Sequence, residues 1–166
     1  ERLKHAAEVS LDTKSVGKDN MLVIKVANTG AGHYLPTGLT DTRQMWLEII
    51  VRDEKGKTIY SSESPDKDGY LPDRTILYNT VFGDGRGNPV LNIAKAREIL
   101  KDRRIPPLQS VSEVITLPAG SWNEATVNVR LRYRSAPQKV LDMVLGKGKL
   151  VLPIVTMAEI EEMVKR

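Results

Sequence analysis

A chain of 166 residues is long enough to bury one apolar core and too short for two independent ones, so residues 1–166 are expected to form a single domain. The absence of cysteine excludes disulfides, thiolate metal ligands, a cysteine nucleophile and covalent haem attachment through CxxCH. The net charge of +4 is a mild bias without a run of interleaved aromatics, and no apolar stretch approaches about 18 residues, so neither nucleic-acid binding nor a membrane span is expected. The chain begins at Glu1 without a leader, which suggests a processed product or a fragment of a longer protein.

Alternation of apolar and polar residues is the dominant pattern along the chain. Within 43–53 and again within 124–134, every second residue is apolar, which is typical of half-buried antiparallel strands. The EKG at 54–56 predicts a hairpin turn between two of the strands. In chain order, the predicted strands are 7–13, 20–28, 43–53, 57–62, 76–82, 112–117, 124–134 and 149–156.

Three segments favour short helices. Residues 92–102 have Asn92 as an N-cap and two prolines soon after the last turn. Residues 136–146 have a proline in their first turn and a glycine at their end, the usual asymmetry of helix ends. The tail 157–166 is compatible with a helix that frays. The predicted fold is therefore mainly β, an Ig-like antiparallel β-sandwich with two or three short helices.

Enzymatic machinery is hard to find in this sequence. It contains two histidines, no nucleophile-elbow serine, no HExxH motif and no phosphate-binding glycine loop, so we expect a protein that is not an enzyme. Two segments, 65–70 and 83–89, combine short acidic residues with glycine as calcium loops do. Neither has the full EF-hand spacing, and Asp-Gly pairs are also ordinary turn chemistry, so the calcium signal is weak.

The segment GAGHYLPTG at 30–38 places His33 among glycines and a proline, between two predicted strands. Loops at the end of a sandwich often carry binding residues, and a neutral imidazole is a metal ligand. Two interpretations follow from the residues alone. His33 either hydrogen-bonds a backbone carbonyl and fixes its own loop, or it points outward to bind a metal.

Several motifs occur together in order: NxGAGHxxPTG at 28–38, RxMWLE at 43–48, RIPP at 104–107 and LRYRS at 131–135. With them, nearly the whole chain resembles the cysteine-free β-domain that closes many secreted multihaem c-type cytochromes. The resemblance implies a periplasmic or extracellular electron-transfer assembly. Because this chain has no CxxCH, haem c would be held by another module or chain.

The resemblance also implies roles for particular residues. His33 matches the histidine of the GAGH motif and is a candidate sixth ligand to haem iron, and His5 is a second candidate near the junction with a preceding haem module. Arg43 is a candidate partner for a haem propionate or for Asp41. Met45 is expected to pack in the core, as is Met157.

The function that the resemblance implies is a non-enzymatic accessory module of a multihaem c-type cytochrome. It would cover a haem, position His33 near it and provide an interface for the haem module, with higher-order assembly left open. The basic segments 101–104 and 130–134 would be suited to an acidic cytochrome surface. The alternative is an extracellular calcium- or carbohydrate-binding β-sandwich module.

Overall fold

The computed structural model describes residues 2–16, 19–62, 64–90, 92–118 and 122–166. A 3-10 helix at Arg2–His5 (η1) precedes the first strand, a second at Ile93–Lys95 (η2) precedes β7, and the α-helix α1 spans Gln138–Leu145. The strands are β1 (Glu8–Val16), β2 (Asp19–Ala27), β3 (Gln44–Asp53), β4 (Thr58–Ser62), β5 (Leu77–Tyr78), β6 (Thr80–Gly83), β7 (Glu98–Asp102), β8 (Ser110–Leu117), β9 (Glu124–Arg134) and β10 (Val155–Lys165).

The strands form antiparallel sheets that pack on one another. One sheet has the order β1-β2-β8, and the other has the order β10-β9-β3-β4 with β5 paired to β3. Strands β6 and β7 form a separate hairpin. Strand β1 also contacts β10 and β9, so the two larger sheets face each other. The prediction of a mainly β, antiparallel sandwich is confirmed.

The core lies between the two larger sheets. The inward residues predicted for β3 are fully buried, as are the alternating apolar residues of β9 from Ala125 to Leu131, whereas Tyr133 is half-buried. Trp46 and Glu48, on the opposite face of β3, are buried as well. The second face of this sheet is therefore covered around Trp46 and Glu48, which the period-two pattern did not predict, while Arg52 further along the same face is exposed. Large apolar members of the core are Leu22, Ile24, Met45, Leu47, Ile49, Tyr78, Ile105, Trp122, Leu131 and Met157.

The helix predicted at 92–102 is wrong. Asn92 does cap a helix, accepting a hydrogen bond from the Ala94 N–H, but that helix is the single 3-10 turn η2. Residues 98–102 instead form β7 and pair with β6. Ile99 is 59% exposed, so the apolar residues that suggested a buried helical face do not form one. Pairing with a neighbouring strand overrides the local helical preference.

The C-terminal tail is also a strand rather than a helix. Residues 155–165 form β10, an edge of the larger sheet that pairs with β9 along its whole length. A register shift between Thr156 and Ala158 places Met157 in the core, while Ala158 also packs against it. After this shift, the inward residues Met157, Ile160 and Val164 have a spacing that resembles a helix.

The helix predicted at 136–146 is confirmed. α1 follows Pro137 and ends before Gly146, whose φ of +99° is readily adopted only by glycine. Among the described residues, the helices are α1 and the two 3-10 turns η1 and η2. No helix of the described residues is long and apolar enough to cross a membrane.

Candidate functional site

One end of the sandwich collects the residues singled out in the sequence. Strand pairing places Glu8 opposite Ala27 and Ala27 opposite Ser110 in the first sheet. In the second sheet, Gln44 lies opposite Arg134. We call this the loop end: it contains η1, the connection 28–43, the connection 103–109 and the segment 135–154. The prediction that the His33 loop lies at an end of the sandwich is confirmed.

Asn28 organises the connection that carries His33. Its side chain is fully buried, and its Nδ2 donates to the backbone oxygens of His33 at 2.8 Å and Ile105 at 3.0 Å. Its Oδ1 accepts from the Ala31 N–H at 3.2 Å. This buried amide therefore holds the GAG turn from both sides. Its oxygen and its nitrogen are both paired, as buried polar groups usually are.

Backbone hydrogen bonds attach the same connection to the segment before β8. The Asn28 N–H donates to the Gln109 oxygen at 2.9 Å, and the Leu108 N–H donates to the Asn28 oxygen at 3.0 Å. Further along, Leu35 and Ile105 exchange two hydrogen bonds of 2.9 and 2.8 Å. The His33 loop is thus held at Asn28 and at Leu35, on both sides of the histidine.

A cation–π contact lies on the outer surface of this loop. The Arg104 guanidinium lies 4.9 Å from the centre of the Tyr34 ring. Arg104 is itself held by two hydrogen bonds to the Asp102 carboxylate, of 2.8 and 2.6 Å. These bonds keep the pKa of the Asp102 carboxyl below its usual value. Arg104 is the first residue of the RIPP motif. Through Arg104, this motif contacts Tyr34, the residue next to His33.

The 3-10 helix η1 docks on the glycines of the loop. The Gly30 N–H donates to the Ala6 oxygen at 3.2 Å, and a Cβ built on Gly30 would lie only 1.7 Å from the His5 oxygen. This close approach requires glycine at position 30. The segment carrying His5 is therefore held against the segment carrying His33.

A shallow hollow of about 180 Å³ lies at the centre of the loop end. It brings His33 and Arg43 together with both methionines considered in the sequence, and both of those methionines are buried. Ligand pockets that enclose a drug-sized molecule are usually about 300–1,000 Å³. The hollow is therefore too small to enclose a porphyrin. Its lining residues are Leu3, His33, Leu35, Pro36, Thr37, Arg43, Met45, Tyr133 and Met157.

The His33 ring is exposed and oriented by a local hydrogen bond. Its Nδ1 lies 3.0 Å from the Tyr34 backbone oxygen. A carbonyl accepts but does not donate, so the proton of the neutral ring must lie on Nδ1, which leaves the Nε2 lone pair free. Because this carbonyl belongs to the adjacent residue, the bond orients the ring but does not hold the loop. The hydrogen bonds of Asn28 hold the loop. A nitrogen-protonated imidazole held by a backbone carbonyl is the usual arrangement of a histidine that binds metal.

Comparison with solved structures places this fold beside a haem protein. The chain superposes on the crystal structure of a penta-haem cytochrome c552 from Thermochromatium tepidum with a TM-score of 0.76 and 18% sequence identity, over 98% of this chain and 40% of that one. The likeness shows the fold alone. The present chain spans about two fifths of the length of that cytochrome. No family model matches the chain, and no curated protein matches it by sequence.

A second solved structure that aligns with the chain carries no argument. A chain described as a β-galactosidase from Bacteroides fragilis aligns with 97% of this chain and 18% of its own length, at 10% identity. Its TM-score of 0.39 is too low to indicate a shared fold.

The remaining candidate residues are less closely associated. Arg43 lines the hollow, and its guanidinium lies against Gly38. It forms no ion pair with Asp41 in the described part of the chain, and the buried Oδ1 of Asp41 has no hydrogen-bond partner there. His5 lies on η1 and is exposed, but it does not line the hollow. Arg43 is therefore available to a group that enters the hollow.

The two calcium-like segments are closed turns. The Asp66 Oδ1 accepts from the Asp68 and Tyr70 N–H groups, at 2.9 and 2.8 Å. The Asp84 Oδ1 likewise accepts from the N–H groups of residues 86 and 88. Among the described residues, no group of three or more His, Cys, Asp or Glu side chains could hold a metal ion together. Both segments have the ordinary Asp-Gly turn chemistry, and nothing in them supports calcium binding.

A polar cluster attaches α1 to the loop before β5. The Tyr70 hydroxyl donates to the Asp142 Oδ2 at 2.5 Å, and Gln138 Nε2 and the Gly148 N–H donate to Oδ1 at 2.8 and 3.1 Å. The bond from Tyr70, followed by those from Gln138 and Gly148, lowers the pKa of the Asp142 carboxyl from 3.8. The ionised carboxylate is therefore the form that the fold favours.

The Asp142 cluster predicts an acid-sensitive contribution to stability. A carboxyl whose pKa is depressed by folding stabilises the protein above its ordinary pKa, and this contribution is lost as the pH falls through the depressed value. Asp142→Asn should therefore lower the urea midpoint near neutral pH and flatten its decline in acid. Urea melts between about pH 7 and 2 would measure both effects, with Asp12→Asn on exposed β1 as the control. Parallel acid profiles for the wild type and Asp142→Asn would contradict the assignment.

Proposed function

We propose that this chain is a non-enzymatic accessory module of a multihaem c-type cytochrome assembly that transfers electrons in the periplasm or outside the cell. The shared fold with a penta-haem cytochrome supports this proposal, as does the order of the motifs along the chain. The chain has no cysteine, so a covalent haem c must belong to another module or chain. The loop end would cover that haem.

The exposed imidazole of His33 is the observation that carries the proposal. Its Nδ1 is engaged by the Tyr34 carbonyl, and its Nε2 is free on a loop held by Asn28 and by the Leu35–Ile105 bridge. A c-type haem takes one axial histidine from CxxCH and needs the sixth ligand from elsewhere. His33 supplies that ligand without a rearrangement of its loop.

The hollow beside His33 limits how the haem would be covered. Its size admits an edge, so the module would cap the haem rather than enclose it. Arg43 lies in the hollow and would bind a propionate, since a guanidinium matches a carboxylate in charge and shape. Met45 and Met157 give the hollow an apolar floor. Excluding water from a haem edge shifts its potential, so the module would tune electron transfer without carrying an electron.

Titration with a haem c peptide, whose sixth iron position is open to water, tests this proposal. The full chain should shift the Soret band of the peptide to that of a low-spin, bis-histidine haem. His33→Ala should abolish the shift, while His5→Ala should retain it. Because His33 is exposed, its replacement should leave the melting temperature of the chain unchanged.

Two outcomes would overturn the proposed ligand. A shift that persists in His33→Ala and disappears in His5→Ala would assign the role to His5. A low-spin shift that persists in both single variants would show that neither histidine is required for it. Arg43→Gln should keep the spectral shift but weaken binding of the peptide, because the propionate would lose its partner.

A further inference from the structure

A second cavity lies on the outer face of the larger sheet, away from the His33 hollow. It is an open cleft of about 560 Å³, a volume typical of small-molecule sites. Its floor consists of Glu48, Arg132 and Arg134, and its walls are the segments 64–69 and 147–154. We call it the arginine cleft.

Arg134 is a buried cation without an acidic partner. It is 3% exposed, and no carboxylate of the described residues lies within 4.0 Å of its guanidinium. Its Nε donates to the Gln44 Oε1 at 2.6 Å, its Nη1 donates to the Gly69 oxygen at 2.7 Å, and it lies over the Trp46 ring. Burial lowers the pKa of this guanidinium because the charged form loses water. All of its described partners are neutral, although a buried charge is usually paired.

Arg132 adds an unused donor to the same floor. Its Nη1 donates to the Thr156 hydroxyl, but its buried Nε has no hydrogen-bond partner among the described residues. The nearest carboxylate oxygen, of Glu48, is 3.9 Å from that Nε, beyond hydrogen-bond distance. An unpaired buried N–H is costly. This Nε is closed to solvent, but the Arg132 side chain is 22% exposed, so a ligand in the cleft would meet the outer atoms of its guanidinium.

The acidic groups of the cleft are already engaged. Glu48 accepts from the Ser64 hydroxyl at 2.8 Å and pairs with Arg130, which lies behind the floor and also pairs with Glu159. The other wall carboxylates are Asp66 and Asp142, which accept the turn and cluster hydrogen bonds described above, and Asp68, which is accompanied at the exposed mouth by Lys67 and Lys147.

The balance of charge selects the ligand. Among the described residues, the floor holds two guanidiniums, of Arg132 and Arg134, and one carboxylate, of Glu48, so its net charge is +1. A singly charged anion neutralises this charge, whereas a doubly charged phosphate or sulfate would leave one negative charge beside the wall carboxylates Asp66, Asp68 and Asp142. The aliphatic side chains of Leu152 and Ile154 also line the cleft and suit a short hydrocarbon body.

We propose that the arginine cleft binds a small organic monocarboxylate, with its carboxylate on Arg132 and Arg134 and its aliphatic part against residues 151–154. The carboxylate supplies acceptors for N–H groups of the two guanidiniums that line the cleft. This site is independent of the haem-capping role of the loop end. Binding should leave the spectrum of a haem peptide bound at His33 unchanged.

Titration of the full chain with sodium butyrate at constant ionic strength tests the proposal. Saturable shifts of the arginine Nε–H resonances are expected by NMR, together with a higher melting temperature. Butyramide, which has the same shape without the charge, and sodium sulfate should produce no saturable shift. Equal responses to butyrate and butyramide would overturn the charge recognition, and equal responses to butyrate and sulfate would show a nonspecific salt effect.

Variants assign the site to the two arginines. Arg132→Gln should raise the dissociation constant for butyrate by about tenfold or more, because a charge-assisted hydrogen bond is lost. Arg134→Lys keeps the charge but loses the planar donor geometry, and should weaken binding similarly if the variant folds. Arg86→Gln, in the exposed turn after β6, removes one charge elsewhere and should bind as the wild type does. Unchanged binding in Arg132→Gln would overturn the proposal.

Discussion

Replacing Asn28 by alanine is expected to lower the free energy of unfolding by about 3 kcal/mol, since it removes hydrogen bonds from three backbone groups and leaves all but the Ile105 oxygen, which keeps the Leu35 N–H, without a partner. These groups are the oxygens of His33 and Ile105 and the N–H of Ala31. The Asn28 side chain is fully buried, so water cannot replace its amide without opening the loop. Urea denaturation followed by tryptophan fluorescence would measure the loss.

Asn88→Ala is the matched control for this prediction. Asn88 also forms side-chain hydrogen bonds within a turn, donating to Asp84, but it is exposed. Its replacement should cost less than about 1 kcal/mol, because water can satisfy the groups that it leaves. Similar losses in the two variants would show that the Asn28 bonds do not organise the loop end. The Asn28→Ala chain should also bind the haem peptide more weakly, since His33 would lose its support.

A methyl group at position 30 is expected to displace η1 from the loop end. The Cβ of Gly30→Ala would overlap the His5 oxygen at 1.7 Å and the His5 carbonyl carbon at 2.8 Å, both backbone atoms that cannot rotate away. The displacement should break the bond from the Gly30 N–H to the Ala6 oxygen and expose Ala6 and Leu3, at a cost of about 2 kcal/mol or more.

Gly32→Ala supplies the control within the same loop. A Cβ at Gly32 has no heavy atom within 4 Å, so this variant should unfold close to the wild type. Trypsin cleavage after Arg2 and Lys4 should accelerate in Gly30→Ala alone, because the displaced segment becomes accessible. Equal cleavage in the two glycine variants, or no destabilisation in Gly30→Ala, would contradict the close contact.

The strands were predictable because alternation is a local property. The four apolar residues of β3 that the pattern placed inward are all buried, and the turn at 54–56 joins β3 to β4 as expected. The burial of Trp46 was not predictable, because it depends on Arg134, whose guanidinium lies over the Trp46 ring on the outer face of the sheet. Such coverage is a tertiary feature that a period of two residues cannot indicate.

The two incorrect helices have different causes. At 98–102, pairing with β6 determines the structure, and a strand of a two-stranded hairpin needs no buried face to form once its partner is present. At 155–165, the bulge at Met157 shifts the alternation by one residue, so the spacing of Met157, Ile160 and Val164 matched a helix. A bulge leaves no distinctive residue at its position, and it was therefore invisible in the sequence.

The candidate site was predicted in part. Topology brings His33 and Arg43 into one hollow, and places η1 with His5 beside them. The importance of Asn28 was missed, although it is the first residue of the NxGAGH motif and an asparagine beside tight glycine turns commonly caps backbone groups. Arg134 was assigned to the polar face of β9, and only its position beside Gly69 and Trp46 reveals that it is buried.

The separation of the two ends of the sandwich also has a practical use. The β3–β4 turn lies roughly 30 Å from the loop end, given about 3.3 Å per residue along β3, and Gly56 there has open space around it. A thiol introduced at Lys55 would attach the protein to a gold electrode with His33 facing away from the metal. Immobilised in this orientation, the chain would present its imidazole to cytochromes in solution, so the turn is a suitable anchor for voltammetry.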